Sequence, residues 1–458
     1  MDQSTQMILG LFLGIAVLIF LSMKTKIHTF IALIIAALIT GLVGGASVTT
    51  TLESITTGFG KTLSNSGIII GLGVMMGIVL EKSGAAQRIA MTFIKLFGKN
   101  KEEWALGVTG YLVSIPVFSD SGLIILTPIA KALSRLTGKS VAALGLALAT
   151  GLQLTHVFVP PTPGPLTVAG IFDIDVGAMI LTGVITTIPP FIVSMLYCKW
   201  LNKKLYFTES EDGLSIEKGE YRSDLIRSID DVSTIYNESE LPSSFLSFAP
   251  IIVPIILIFL NSLANFLEWE GAAIPFINLI GSPIVALIIG TLLSIYGLGK
   301  GMDRKEVLNH MEDSTKAVGM IMLITGAGGS LGAVVRDSGV GDALGQAVLN
   351  THTPALLIPF VIAALMRIAL GSATVALTTA ATLTAPLVVT LGMNPLLGAM
   401  ATCAGGVSFS YFNDSGFWVF NGLYGLKDIK DQFWAKTMIS FIGSGTALLT
   451  VFIMSFFL

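Results

Sequence analysis

Apolar runs long enough to cross a bilayer recur along almost the whole chain, separated by short polar stretches. A transmembrane helix needs about 20 consecutive, mostly apolar residues. Such runs lie near 7–23, 29–46, 63–80, 141–165, 177–198, 246–265, 274–297, 317–335, 395–412 and 437–457, which predicts ten spans. Two further apolar stretches are interrupted at their centres. Ala105 to Leu133 is broken by Pro116, Ser119, Asp120, Ser121 and Gly122, and Ala355 to Val389 by Gly371-Ser372-Ala373-Thr374. Each arm is read as roughly 11–12 residues, about 18 Å of helix, too short for a hydrocarbon core of about 30 Å. Both stretches therefore predict re-entrant hairpins. Irregular backbone survives at membrane depth only when buried in protein or lining a wet cavity.

Composition agrees with this pattern and removes other classes. Of 458 residues, 53% are hydrophobic and 12% charged, about half the charged fraction of a soluble protein. The expected fold is an all-α polytopic membrane protein. A net charge of −3 excludes a basic nucleic-acid binder. Two cysteines, Cys198 and Cys403, cannot form a disulfide framework or a structural zinc site. The first apolar run has Lys24 and Lys26 after it rather than before it, the reverse of a cleaved signal peptide. It is read as a span, with the N-terminus outside. With strict alternation of spans, 23 of the 26 Lys and Arg fall on the cytoplasmic side, in Lys82–Lys101, Lys131–Lys139, Lys199–Arg227, Lys300–Lys316 and Lys427–Lys436 among other segments. The exceptions are Lys61, Arg336 and Arg367, and the C-terminus is expected outside. The polar segment Leu201–Leu241 carries ten acidic and five basic residues. It reads as a solvated linker with some helix, too short for a soluble catalytic domain.

The linker joins two halves that repeat each other. Gly71-Leu-Gly73-Val-Met-Met-Gly77 followed by Glu81-Lys82-Ser83-Gly84 matches Gly326-Ala-Gly328-Gly329-Ser-Leu-Gly332 followed by Arg336-Asp337-Ser338-Gly339, 255 residues later. Ala149-Thr150 with Pro161-Thr162-Pro163-Gly164 matches Ala401-Thr402 with Asn413-Asp414-Ser415-Gly416 at a similar offset. The expected organisation is a first repeat over 1–200, a cytoplasmic linker over 201–244 and a second repeat over 245–458. Each repeat has about five spans and one hairpin, and by the charge count they sit oppositely in the membrane. Inverted repeats with broken helices meeting at mid-membrane are a signature of secondary transporters.

The same segments carry a family resemblance. Gly71–Arg88, Pro116–Pro128, His156–Pro165, Thr325–Asp342, Arg367–Thr379 and Asn413–Trp418 are similar to the gluconate permease family. That family comprises proton-coupled symporters for gluconate and related small hydroxy or amino acids. It is placed in the ion transporter superfamily, which implies an elevator motion of a mobile unit holding both hairpins, and a homodimer. The resemblance breaks in three places. The family's first hairpin tip reads Phe-Phe-Asp-Val-Gly-Phe where this chain has Phe118-Ser119-Asp120-Ser121-Gly122-Leu123. A family His in the proline-rich loop is Thr162 here. The family's His-Val-Asn-Asp is Tyr411-Phe412-Asn413-Asp414. Transport stands as the reading, and the substrate is open among gluconate, glycerate, D-serine and their relatives.

A small organic anion needs donors in a dry site, and half-helix N-termini supply them through free N–H groups and a positive dipole end. Four interruptions offer such ends: Ser119–Gly122, Pro160–Pro165, Gly371–Thr374 and Asn413–Gly416. The candidate substrate contacts are Ser119, Ser121, Thr162, Gly164, Arg367, Gly371, Ser372, Thr374, Asn413 and Ser415. Arg367 is the only basic residue expected deep in an apolar segment. It would hold a carboxylate bidentately or form an ion pair with Asp120 or Asp414. Asp120, Asp414 and His156 are the candidate proton carriers, because an intramembrane carboxylate is costly and functional by default and His titrates near neutrality. Asp173, Asp175, His28, His310 and His352 read as loop residues. The Ser83-Gly84 and Ser338-Gly339 pairs read as helix ends, and the Gly326–Gly329 run as close helix packing. No cofactor or metal site is implied, and no Lys-Ser/Thr follows a glycine-rich loop, so no ATP site is expected. The coupling ion is read as H⁺, with a Na⁺-coupled carboxylate carrier as the alternative. An intramembrane enzyme, a passive channel and a receptor are the remaining classes. The enzyme lacks a nucleophile–base pair or metal cluster.

Overall fold

The architecture is described from a computed structural model over residues 3–97, 100–209, 216–221, 240–299, 302–339, 354–411 and 414–458. The first half contains α1 (Gln3–Lys24), α2 (Thr29–Val43), α3 (Val48–Lys82), α4 (Ala85–Phe97), α5 (Glu102–Val113), α6 (Ser119–Thr137), α7 (Val141–Phe158), α8 (Pro163–Phe172) and α9 (Val176–Lys204). A two-stranded antiparallel ribbon follows, β1 (Phe207–Glu209) with β2 (Ile216–Lys218). The second half contains α10 (Ser244–Phe266), α11 (Ile274–Gly281), α12 (Pro283–Leu293), α13 (Arg304–Asp337), α14 (Leu357–Leu370), α15 (Ala373–Thr390), α16 (Pro395–Val407), α17 (Ser415–Leu423), α18 (Ile429–Gln432) and α19 (Met438–Met454). A π-helical turn, Ser294–Leu298, extends α12, and another, Phe433–Thr437, joins α18 to α19.

This is an all-α polytopic membrane protein. A helix coincides with each of the ten expected spans. Helices α9, α10 and α13 are single and long and apolar enough to cross a membrane, α7 with α8 and α18 with α19 reach that length together, two are bent pairs (within α3, and α11 with α12), and α1, α2 and α16 are shorter. Large apolar side chains face outward, as a lipid-facing surface requires: Phe12, Ile188, Phe276 and Phe452 are 61%, 50%, 62% and 43% exposed. Apart from α4, whose counterpart falls outside the described residues, the element order of the two halves matches. α1 corresponds to α10, α2 to α11–α12, α3 to α13, α5 to α14, α6 to α15, α7 to α16, α8 to α17 and α9 to α18–α19. Contacts also match with the halves exchanged: α6 packs on α17 as α15 packs on α8, and α2 packs on α13 as α12 packs on α3.

The repeated glycines are where the halves and breaks approach closely. A Cβ on Gly58 would lie 2.4 Å from Gly329 O, so α3 and α13 cross backbone to backbone. A Cβ on Gly77 would meet Pro116 O at 2.2 Å, and one on its counterpart Gly332 would meet Thr382 Cγ2 at 2.9 Å. Ser83 and Ser338 are C-caps, each followed by glycine with positive φ (Gly84 +79°, Gly339 +74°).

Three expectations are corrected. Helices α3 and α13 run for 35 and 34 residues, well beyond the expected spans beginning at 63 and 317. Their polar N-terminal halves are helical rather than looped, and that of α3 is packed: Ser54 Oγ donates to Asp337 Oδ2 at 2.7 Å. The second arms of the hairpins are also longer than 11–12 residues, 19 in α6 and 18 in α15. Ser119–Gly122 and Ala373–Thr374 form the first turns of these helices, and Pro128 and Pro386 lie inside them without ending them. Of the linker, the described residues hold the end of α9 and the β1–β2 ribbon; 210–215 and 222–239 lie outside the described residues. The ribbon docks on the turn before α7: Phe207 N donates to Ser140 Oγ at 3.1 Å, and Tyr206 OH to Gly138 O at 2.8 Å. Lastly, Arg367 is not the only deeply buried basic residue. Lys139 and Lys436 are 6% and 5% exposed.

Candidate substrate site

Three of the four predicted interruptions meet at one place. The α5–α6 turn, the α14–α15 turn and the α16–α17 break, with the C-terminal half of α7, surround a polar cavity of about 80 Å³. A wider cavity of about 390 Å³ adjoins it toward α13. Ser119, Asp120, His156, Ser372 and Thr374 line both.

Each side chain is placed by its local sequence. Gly371, at φ +74°, lets the chain reverse after α14, and Ser372 then caps α15 by accepting from Val375 N at 3.5 Å. Arg367, one turn earlier, donates Nη1 to Gly371 O and Nη2 to Asp414 Oδ2, the latter at 2.6 Å. Asp414 is the N-cap of α17, accepting from Gly416 N at 3.1 Å, and it also accepts from Ser410 Oγ. The arginine thus fastens the second hairpin to the second break, and both side chains are buried, 3% and 8% exposed. The chain before Asp414 is pinned to the last helix: Thr437 Oγ1 donates to Ser410 O at 2.9 Å, and Ser410 N to Ser440 Oγ at 3.2 Å.

Asp120 enters from the opposite half, in the first turn of α6. A Cβ on Gly416 would lie only 3.0 Å from Asp120 Oδ1. His156, on α7, stacks edge-on to Phe118 at 5.9 Å between ring centroids, and its Nε2 lies 3.5 Å from Thr374 Oγ1 of the second hairpin.

Not every candidate lines the cavities. Thr162 is turned to backbone, donating to Val159 O at 2.8 Å and His156 O at 3.1 Å. Gly164 packs on the second hairpin, where a Cβ would meet Leu377 Cδ1 at 3.0 Å. Neither Thr162 nor Gly164 lines the cavities, and Gly371 contributes through its carbonyl. Ser121 lines the wider cavity only. Ser415 opens α17, and Asn413 lies outside the described residues. Asp175 caps α9, accepting from Ala178 N and Ser262 Oγ at 2.8 and 2.7 Å, and His28 caps α2. His310 lies 3.7 Å from Glu306 on α13; His352 is outside the described residues.

Two polar residues lining the smaller cavity escape the sequence reading. Gln153 stands three residues before His156 and shares its helix face; that spacing is the signal that marks it. Its Nε2 donates to Val407 O at 3.4 Å, at the end of α16. Lys436 was placed with the cytoplasmic loop residues, but its ammonium lines the cavity and donates to Gln153 Oε1 at 2.7 Å. Its sequence position, at the edge of the last apolar run, hides this.

Two discontinuous helices and two hairpin tips, with paired charges between them, enclose a polar cavity that can hold a small polar ligand. Comparison with known proteins agrees. The sequence matches the family described as GntP family permease over residues 6–457. The chain belongs to this family. It is 34% identical to the high-affinity gluconate transporter of Escherichia coli, covering 94% of this chain and 96% of that one. It is 34% identical to the Gnt-II system L-idonate transporter of the same organism (94% and 95%) and 33% identical to the gluconate permease of Pseudomonas aeruginosa (99% and 99%). The fold is similar to that of the YdaH transporter of Alcanivorax borkumensis, with a TM-score of 0.59 and 16% identity over 89% of each chain. The GntP-family chain is therefore a multi-pass membrane permease, not an enzyme.

Proposed function

We propose that this permease is a secondary active transporter that carries gluconate, or a related small sugar acid or hydroxy acid, across the bacterial cytoplasmic membrane together with a proton. The observation that carries the reading is the convergence of Asp120, His156, Arg367 and Asp414 on one polar cavity built from both halves. Hydroxyls of Ser119, Ser372 and Thr374 supply partners for substrate OH groups. Asp120 and His156 are the proton carriers. Asp414, already held by Arg367 and Ser410, acts mainly in positioning. The gluconate and idonate transporters among the relatives support the substrate class.

On this reading the halves are inverted repeats, 1–200 and 245–458, with both termini outside. The α5–α6 and α14–α15 hairpins are re-entrant and move with α7–α8 and α16–α17 as an elevator past α3 and α13. The matching contacts with halves exchanged support the repeat. A homodimer rests on the superfamily analogy alone.

Uptake into proteoliposomes tests the assignment. With an inward proton gradient and Na⁺-free buffer, labelled gluconate should accumulate above equilibrium and leak away on adding a protonophore. Uptake that appears only with Na⁺ would move the coupling ion. Equilibrative flux would make the protein a channel, and silence in both buffers would remove gluconate.

A further inference from the structure

We infer that Lys436, not Arg367, is the cation that receives the substrate's carboxylate. The inference rests on the proposed transport of an organic acid and names the recognition element within that site.

The argument begins with what each cation already holds. Arg367 is engaged on two sides, by Asp414 and by the Gly371 carbonyl. Releasing it would leave Asp414 buried beside an unclosed hairpin tip. Lys436 is also buried, at 5% exposure. Its hydrogen bond goes to a neutral amide, Gln153 Oε1. Among the described residues, no carboxylate lies within 4.0 Å of its Nζ. Burying an ammonium without a counter-anion is costly. Lys436 faces the cavity shared with Asp120 and Asp414, whose charges it feels at longer range. A carboxylate entering that cavity supplies the missing direct partner.

The surroundings hold the ammonium in position. Lys436 sits in the Phe433–Thr437 π-turn, which changes the facing of side chains relative to an α-helix; such turns occur often at functional sites. The next residue, Thr437, is bonded to Ser410 O. Gln153 is fixed in turn by Val407 O. The N-terminal turn of α6, with Ser119, lies on the same cavity and adds a positive dipole end for the same anion. The cavity lining contains two cations, Arg367 and Lys436, and two carboxylates, Asp120 and Asp414. Arg367 holds Asp414 directly, so among the described residues Lys436 is the cavity cation that has no carboxylate in direct contact.

Binding to the purified full-length protein in nanodiscs tests this. The probes are gluconate, glycerate and lactate, each beside its neutral amide. Wild type should prefer each bound acid over its amide. Lys436→Gln should weaken acid binding on the order of 100-fold and leave amide binding within about threefold, whereas Lys436→Arg should retain the preference. Gln153→Glu guards against misfolding: it places a carboxylate against the ammonium, so it should raise thermal stability while lowering acid affinity as strongly. If Lys436→Gln keeps the acid preference, or acid and amide binding fall together, the inference is overturned and the sugar-acid reading stands. If lactate binds in place of gluconate and its binding needs Lys436, the inference stands and the substrate narrows from sugar acids to short hydroxy acids. If wild type binds no acid of the panel, both fall.

Discussion

Asp120 and Asp414, one from each half of the chain, converge on the first turn of α17, where Gly416 separates them. A Cβ at Gly416 would sit 3.0 Å from Asp120 Oδ1 and 3.6 Å from Asp414 Oδ1. Alanine is the better helix former by up to about 1 kcal/mol, so Gly416→Ala should not lower stability. The new methyl must instead push Asp120 aside. We expect Gly416→Ala to fold with an unchanged or higher melting temperature and to lose most uptake. Retention of wild-type uptake would show that Asp120 need not stay where it is.

The Arg367–Asp414 pair gives a second prediction with a clear sign. Removing one member of a buried pair leaves an uncompensated charge and costs about 3–5 kcal/mol. Arg367→Gln should therefore be strongly destabilised. The double variant Arg367→Gln with Asp414→Asn removes both charges and should recover much of that loss. Thermal unfolding of the singles and the double closes the cycle. A loss in the double equal to the sum of the losses in the two singles would mean that the two groups are not coupled.

These residues also show what the sequence can and cannot reveal. The breaks were legible because Pro, Gly, Ser and Asp inside apolar runs have few other uses, and the 255-residue repeat made each break confirm its partner. The Arg367–Asp414 pair was one of two pairings open from the sequence, and only the fold chooses between them. Thr162 looked like a substrate ligand, but a hydroxyl beside a chain reversal has nearby carbonyls to satisfy, and Val159 and His156 take it. Lys436 was unreadable for a different reason. A lysine at the end of an apolar run normally marks the membrane boundary, whereas the α18 helix and the π-turn carry this one inward. The hairpin arms were underestimated because polarity was taken to end a helix that protein packing allows to continue.

Away from the cavity, Lys139 lies between two glutamates at the turn before α7. Its Nζ is 2.7 Å from Glu102 Oε2 and 2.7 Å from Glu103 Oε2, and all three side chains are at most 8% exposed. Burial alone would lower the ammonium's pKa, but Glu103 and Glu102 outweigh it and raise the pKa above its ordinary value. A raised lysine pKa stabilises the fold fully below the unfolded value of about 10.4 and loses that contribution only as pH climbs through the folded value. Lys139 should thus add no pH dependence to stability between about pH 6 and 9. Lys139→Met leaves two buried carboxylates facing each other and should cost about 3–5 kcal/mol. Glu102→Gln leaves one matched pair and should cost far less. Melting temperatures for the two variants across that pH range are the check, and a Glu102→Gln loss as large as that of Lys139→Met would contradict the charge count.

Movement of the hairpins past the long helices can be tested where α15 meets α13. Thr382 Oγ1 donates to Gly328 O at 2.9 Å, and a Cβ on Gly332 would stand 3.5 Å from Thr382 Cβ. That separation falls in the range of a disulfide, about 3.5–4.5 Å between Cβ atoms. Cysteine at both positions also removes the Thr382 methyl that would crowd a side chain at 332. In a background lacking Cys198 and Cys403, the Gly332→Cys, Thr382→Cys variant should crosslink on mild oxidation. If α15 slides against α13 during transport, oxidation should abolish uptake and reduction should restore it. Binding of substrate from the open side should survive the crosslink, because the cavity residues lie about two helical turns away near Thr374. Full uptake by the oxidised protein, with crosslinking confirmed by mass, would mean that α13 and α15 move as one body and that the elevator must run along a different interface.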